Sequence, residues 1–314
     1  MPATDPSTAE PTDVQRRRRE ASLSESKRAL LAALRAQRTG TAADEAPPEL
    51  LRPGGADAIV LVHPVGGDVF CYRELVRLLP DGPAVYGLGA DSRLTGQRPP
   101  ELEDLAAGYL RRLEVHGVAP TLLAGWSFGG IVAYEMTAQL HAGERDCELA
   151  TIDIGPVAPD APEYVPTDAE LLQAFLRDLL ASIGHRFDPA DFDPALWRRP
   201  GALAAAGEQL DRRGIRIGLS PSELDARLRR FTNAARALAV YRPQRLLERF
   251  WRLTATATAD DPEMEWWREG PKAVPSIKVP GDHFAMLRHP AVVEVARLIA
   301  DAHAFGRRLQ GAPR

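Results

Sequence analysis

Thr121–Leu140, TLLAGWSFGGIVAYEMTAQL, is the stretch on which the reading of this chain turns. Thr121–Gly125 is short, apolar and bounded by a glycine, which predicts a buried strand. Ile131–Ala142 keeps apolar residues at helical spacing and predicts a helix. Between them stands Gly125-Trp126-Ser127-Phe128-Gly129, a G-x-S-x-G signature, with Gly130 behind it. A turn that passes from strand to helix in so few residues forces its central residue into a strained backbone conformation. The flanking residues must then lack side chains, and Gly125 and Gly129 meet that need. The Ser127 hydroxyl would project above the sheet at the positive end of the following helix.

The pattern repeats on both sides. Ala58–Val62 (AIVLV) reads as a strand followed by a Gly-rich turn, Tyr72–Leu79 as a helix, Ala84–Leu88 as a strand, Leu102–His116 as a helix and Leu149–Ile154 as a strand. Strands alternating with helices predict an α/β fold with a mostly parallel sheet covered on both faces. The strand rhythm then stops. Thr167–Ile183 and a helix from Ser220 to about Tyr241 both open on capping boxes, Thr167/Glu170 and Ser220/Glu223, with polar and proline-containing turns between them. Strands resume at Leu253–Ala257 and Ser276–Val279, and a last helix runs from about Pro290 to Phe305. The expected core is therefore residues 56–160 with 246–314. Residues 161–245 form an all-helical insertion, placed to act as a lid over the C-terminal edge of the sheet.

Upstream, residues 1–21 are polar and proline-containing and read as a disordered leader, with Arg16–Arg19 as a solvated basic run. Residues 22–55 read as an N-terminal amphipathic helix over 22–39 and a proline-rich linker. Ser22 and Glu25 fit a capping box, Leu23, Leu30, Leu31 and Leu34 share a stripe, and Gly40 stops the helix. A helix this short needs a surface to pack on: the main domain, a second copy or a partner.

Composition narrows the classes. The chain has 314 residues, 45% hydrophobic and 26% charged, as in ordinary globular proteins. Lys+Arg number 39 against Asp+Glu 43, so no global positive field points to nucleic acid. No apolar run approaches the length of a membrane span, and Met1–Glu20 has no signal-peptide core. The expected location is cytoplasmic. Two cysteines, Cys71 and Cys147, are too few for a disulfide framework.

A serine hydroxyl needs a base. His283, in Pro280-Gly281-Asp282-His283-Phe284, falls after the last strand and before the last helix, where a base for this elbow belongs. His289 precedes Pro290 and reads as a helix cap, and Asp282 as a loop residue. His63, His116, His141, His185 and His303 read as packing or surface histidines. No two histidines stand at ligand spacing beside a third donor, so no metal is expected. The base in turn needs a carboxylate. Asp153 closes an apolar strand, an unfavourable place for an unpaired charge. Asp260 and Asp261, in a polar turn after the later strand, are the alternatives. A developing oxyanion would take two backbone N–H donors, from Phe128 after the serine and from Val65 in the loop His63-Pro64-Val65-Gly66-Gly67.

Taken together, VHPVGGDVFCYREL, VYGLGA, LLAGWSFGGIVAYEMTAQL, LATIDIGPVAP and VPGDHFAML resemble, in order, the thioesterase domains that end nonribosomal peptide synthetases and polyketide synthases. The resemblance covers about residues 56–160 and 250–305 and leaves the insertion unmatched. It implies an α/β-hydrolase fold, with Ser127 as nucleophile, His283 as base, Asp153 as acid, and Val65 and Phe128 as oxyanion donors. It implies no cofactor of the enzyme's own, the substrate being an acyl or peptidyl chain on the phosphopantetheine of a carrier protein or upstream synthase module. Related editing thioesterases often take the acid from the later strand, which keeps Asp260 and Asp261 open. They also commonly have His before the nucleophile, where this chain has Trp126, as chain-releasing domains do. A carboxylesterase or acyltransferase on the same fold, and a non-catalytic carrier-binding scaffold, are the other readings. SLSESKRALLAAL resembles the short helix found at module starts, so the chain reads either as a free-standing enzyme, monomer or dimer, or as a piece of a larger one. Arg227, Arg229 and Arg230 of the insertion read as a solvated face or a contact for an acidic carrier.

Overall fold

A computed structural model describes residues 46–154, 165–257 and 274–310. The leader, the 22–39 helix, Asp260 and Asp261 lie outside the described residues. Every element below belongs to the unit Pro47–Arg314.

In chain order the elements are β1 (Glu49–Arg52), β2 (Ala58–Val62), α1 (Arg73–Leu78), β3 (Ala84–Leu88), α2 (Leu102–Val115), β4 (Pro120–Trp126), α3 (Phe128–Ala142), β5 (Glu148–Ile152), α4 (Asp168–Ser182), α5 (Ala202–Arg212), α6 (Pro221–Val240), β6 (Trp251–Ala255), β7 (Ser276–Val279) and α7 (Ala291–Gln310). The strands form one sheet in the order β1-β3-β2-β4-β5-β6-β7. β1 runs antiparallel to β3, and every other pairing is parallel. The strand pair β2–β4 and the switch to β3 on the other side put the ends of β2 and β4 at the point where strand order reverses. Open α/β sheets place their sites there.

Alternation along the strands feeds two cores. Ala58, Val60 and Val62 join Leu123 beneath α2 and α3, while Ile59 and Leu61 join Leu122, Ala124 and Trp126 beneath α1 and α7. In α7, Val292, Val295, Ala296, Leu298, Ile299 and Ala302 repeat at helical spacing, so one face is buried. α3 is buried almost throughout, from Phe128 to Ala138, because α2 and residues 247–250 close over it.

The sequence reading missed two elements. The expected linker contains β1, whose four residues lie between Pro48 and Pro53. Its Arg52 donates to the carbonyls of Val76, Leu79 and Pro80, where α1 ends and its last acceptors lack helical partners. The expected turns between the insertion helices contain α5, which starts at Gly201 in a left-handed conformation, φ 76°. Both expected capping boxes form, at Thr167/Glu170 and Ser220/Glu223. α4, α5 and α6 share a core of their own, with Phe175 edge-on to Phe231 at 5.6 Å. No helix among the described residues is long and apolar enough to cross a membrane.

Candidate active site

Ser127 sits between β4 and α3 at φ 56°, ψ −134°. A Cβ on Gly125 would overlap the Gly129 carbonyl group, and one on Gly129 would overlap the carbonyl oxygen of Val62. The elbow is thus wedged against its own helix and against the end of β2, which explains both glycines. Tyr72, fully buried, ties the same two strands: its hydroxyl donates to Val62 O (2.6 Å) and accepts from Trp126 N–H (2.8 Å). Sequence reasoning gave Tyr72 only a helix position. The signal available was an aromatic hydroxyl in an otherwise apolar stretch, which needs a partner when buried.

Asp153 follows β5 and is also left-handed, φ 50°. Its amide donates to Leu253 O at 2.7 Å, and the Ser127 amide donates to Ile152 O at 3.0 Å, so both strained residues are pinned by backbone bonds across the sheet edge. Asp153 is 1% exposed. Its Oδ1 accepts from the Ala255 amide and its Oδ2 lies 2.8 Å from Nδ1 of His283. An ionised carboxylate only accepts, so Nδ1 is the donor of this bond, and in the neutral ring the lone pair then lies at Nε2. The sequence thus leads to a buried Asp153–His283 pair, while Asp260 and Asp261 fall outside the described residues.

Trp126, the residue before Ser127, holds the imidazole from the other side. Its Nε1–H donates to His283 O at 3.0 Å, and the two rings lie 4.9 Å apart. Phe284 stands edge-on to the imidazole at 5.2 Å. Trp126 therefore couples the elbow to the His283 segment, a role the motif alone did not reveal.

Among the described residues, His63 and both cysteines are held in unreactive forms. His63 is fully buried, with Nδ1 2.6 Å from Pro64 O and Nε2 2.6 Å from the Tyr109 hydroxyl, and burial lowers it to about 4. Burial pushes the Cys147 thiol up to about 12 and raises that of Cys71 well above its usual range, so neither is a thiolate at neutral pH.

The loop after β2 is a tight turn, Gly67 N–H donating to Pro64 O at 2.9 Å. Val65 packs against both the main core and the insertion's core. Phe128 opens α3, and first-turn N–H groups have no acceptor within their own helix. One expectation is corrected here. Arg230 does not stand with exposed Arg227 and Arg229 on a solvated face: it is half-buried, and its NH1 group donates to Gly66 O at 2.9 Å.

The insertion also brings a carboxylate that sequence reasoning did not single out. Asp178 of α4 lies within electrostatic reach of His283, Asp68 and Arg227, and burial pushes it up to about 6. A folded value above the unfolded one means that stability falls as pH rises from about 4 to 6 and stays lower above that. Asp178→Asn is expected to stabilise the protein by about 2 kcal/mol above pH 6, or roughly 4–8 °C in Tm, and to leave it unchanged below pH 4. Thermal melts of both proteins at pH 4 and pH 8 check this, and an equal shift at both pH values would refute it.

The thioesterase domain family profile matches residues 57–302. The chain belongs to the thioesterase domain family. A dimodular nonribosomal peptide synthase from Bacillus subtilis (strain 168) is 35% identical to this chain over 165 residues, 49% of this chain and 7% of that synthase. The first curated relatives are all much longer, and the chain spans 2% to 20% of their lengths. Among solved structures, the four-domain nonribosomal peptide synthetase holo-AB3403 superimposes with a TM-score of 0.66 at 24% identity, covering 84% of this chain and 20% of that one. The NocB thioesterase domain of the nocardicin cluster superimposes with a TM-score of 0.54 at 22% identity, covering 81% of this chain and 97% of that one. The chain thus has the α/β-hydrolase-type fold of the thioesterase domains found in nonribosomal peptide synthetases.

Proposed function

We propose that this thioesterase releases an acyl or peptidyl chain from the phosphopantetheine thioester of a carrier protein through an acyl ester on Ser127. His283 Nε2 takes the Ser127 proton as Oγ attacks the thioester carbonyl. Asp153 holds the imidazole in the reactive tautomer and stabilises the imidazolium. The Phe128 and Val65 amides receive the oxyanion, where one such donor typically contributes about 3 kcal/mol. Collapse breaks the C–S bond, and the carrier thiol leaves with the proton from His283. Water, or a hydroxyl or amine of the chain itself, then attacks the acyl ester and releases an acid or a ring. Residues 161–245 act as the lid, selecting chain shape and limiting water.

One observation carries the reading: the Asp153–His283 hydrogen bond is lodged against Trp126, the neighbour of Ser127 at the strained elbow. The editing role and oxygen-ester hydrolysis are the competing activities on this scaffold.

The test is incubation with acyl N-acetylcysteamine thioesters and matched oxygen esters, followed by intact mass and peptide mapping. A single acyl adduct on Ser127, formed faster from the thioester, is the expected result. Adducts mapping to another residue, or preference for the oxygen ester, would overturn the proposal.

A further inference from the structure

One side chain of the insertion, Arg230, bonds directly to the loop that carries Val65. α6 is anchored on the main domain by Asn233, whose amide donates to Leu94 O and Gly96 O, both at 3.0 Å. One turn earlier on α6, Arg230 reaches across to the loop after β2. Its NH1 group donates to Gly66 O at 2.9 Å, and its stem lies over Gly67 so closely that a Cβ there would overlap Arg230 Cδ. Gly67 is itself left-handed, φ 84°. On the far side the Gly67 carbonyl accepts from the Ala90 amide at 2.9 Å, just beyond β3. The turn that presents Val65 is therefore gripped between β3's exit and α6.

The guanidinium is not placed for its own satisfaction. Its Nε–H is buried and has no acceptor, a costly state for a charged donor. Burial also lowers its basicity against the usual arginine value. A bidentate side chain free to choose would turn both edges to acceptors or to water. This one is held with a single bond to Gly66, and the bond goes to the residue next to Val65.

We infer that Arg230 is a positioning residue: by fixing Gly66 and Gly67 it sets the Val65 N–H where a developing oxyanion needs it, so that the thioesterase turns over only with α6 seated. The inference rests on the oxyanion role proposed for Val65. It makes the insertion part of the catalytic apparatus as well as a cover over the acyl chain. A donor displaced by about 1 Å loses most of its contribution to the transition state while the substrate still binds.

The experiment compares the full-length chain with Arg230→Met, which keeps the stem and loses the donor, and Arg230→Lys, which keeps one donor. Three quantities are measured: kcat and KM for an acyl N-acetylcysteamine thioester, the inhibition constant of an alkyl boronic acid that forms a tetrahedral adduct on Ser127, and the dissociation constant of the matching non-cleavable thioether. Arg230→Met is expected to lower kcat about 30-fold and weaken the boronate by a similar factor, with thioether affinity within 3-fold. Arg230→Lys is expected to recover at least a third of wild-type kcat. In Arg230→Met, equal weakening of boronate and thioether, or kcat within 3-fold of wild type, would overturn the inference. Should Arg230→Met melt far below wild type, Arg230→Lys alone decides. Boronate and thioether affinities that weaken together in it refute positioning, and boronate loss greater than thioether loss supports it. Failure of the reading beneath it would look different: Ser127 would not be acylated in the wild type.

Discussion

Ser127→Ala is expected to abolish the acyl adduct in intact mass spectra and to lower thioester turnover by about 10^5- to 10^6-fold, as loss of a covalent nucleophile does. The protein should still fold. Alanine keeps the Cβ that serine already places at φ 56°, so the elbow's strain is unchanged, and the Ser127 amide keeps its bond to Ile152 O. The companion Ser127→Gly isolates that strain. Glycine adopts positive φ without a steric cost, so this equally inactive variant should be more stable than Ser127→Ala by about 1 kcal/mol. A dead but stabilised glycine variant would show that the elbow's geometry is held for chemistry and not for folding. Residual adduct formation in Ser127→Ala, at a rate near wild type, would remove the nucleophile from the proposal.

The sequence revealed the parts that rest on local chemistry. G-x-S-x-G between an apolar strand and a helix leaves few alternatives, since Gly125 and Gly129 have no room for a Cβ. The capping boxes of α4 and α6 were legible because both partners lie within one turn. His283 was legible because glycine and aspartate precede it after a strand. What stayed hidden depends on contacts far apart in the chain. β1 is four residues with an exposed beginning, and it becomes a strand only because β3 lies beside it. α5 is rich in alanine and buries only Leu203, Ala206 and Leu210, a stripe too thin to stand out from turns. Asp178 and Arg230 carry charges on amphipathic helices, where a solvated face is the ordinary reading. That Arg230 faces inward is decided by Gly66, 164 positions away. Tyr72 and Trp126 belong to the same class: each supports the site by a hydrogen bond to a strand or loop that the motif does not contain.

The identity of the acid is the remaining choice that sequence left open, and Asp153→Asn decides it. Turnover is expected to fall about 10^4-fold with the fold intact. The argument is one of donors and acceptors. Asp153 Oδ1 accepts from the Ala255 amide, and that amide, fixed in β6, can only donate. An asparagine must therefore turn its oxygen to Ala255 and its NH2 toward His283. The imidazole then has to accept at Nδ1, which moves its proton to Nε2 and removes the lone pair that would take the Ser127 proton. Affinity for a non-cleavable thioether should stay within about 3-fold, because the change is in the tautomer and not in the acyl site. Asp260→Asn and Asp261→Asn serve as the comparison and are expected to keep at least a third of wild-type kcat. If either of those lost turnover by orders of magnitude while Asp153→Asn kept it within 10-fold, the acid would come from the later strand. The Asp153–His283 hydrogen bond would then be structural.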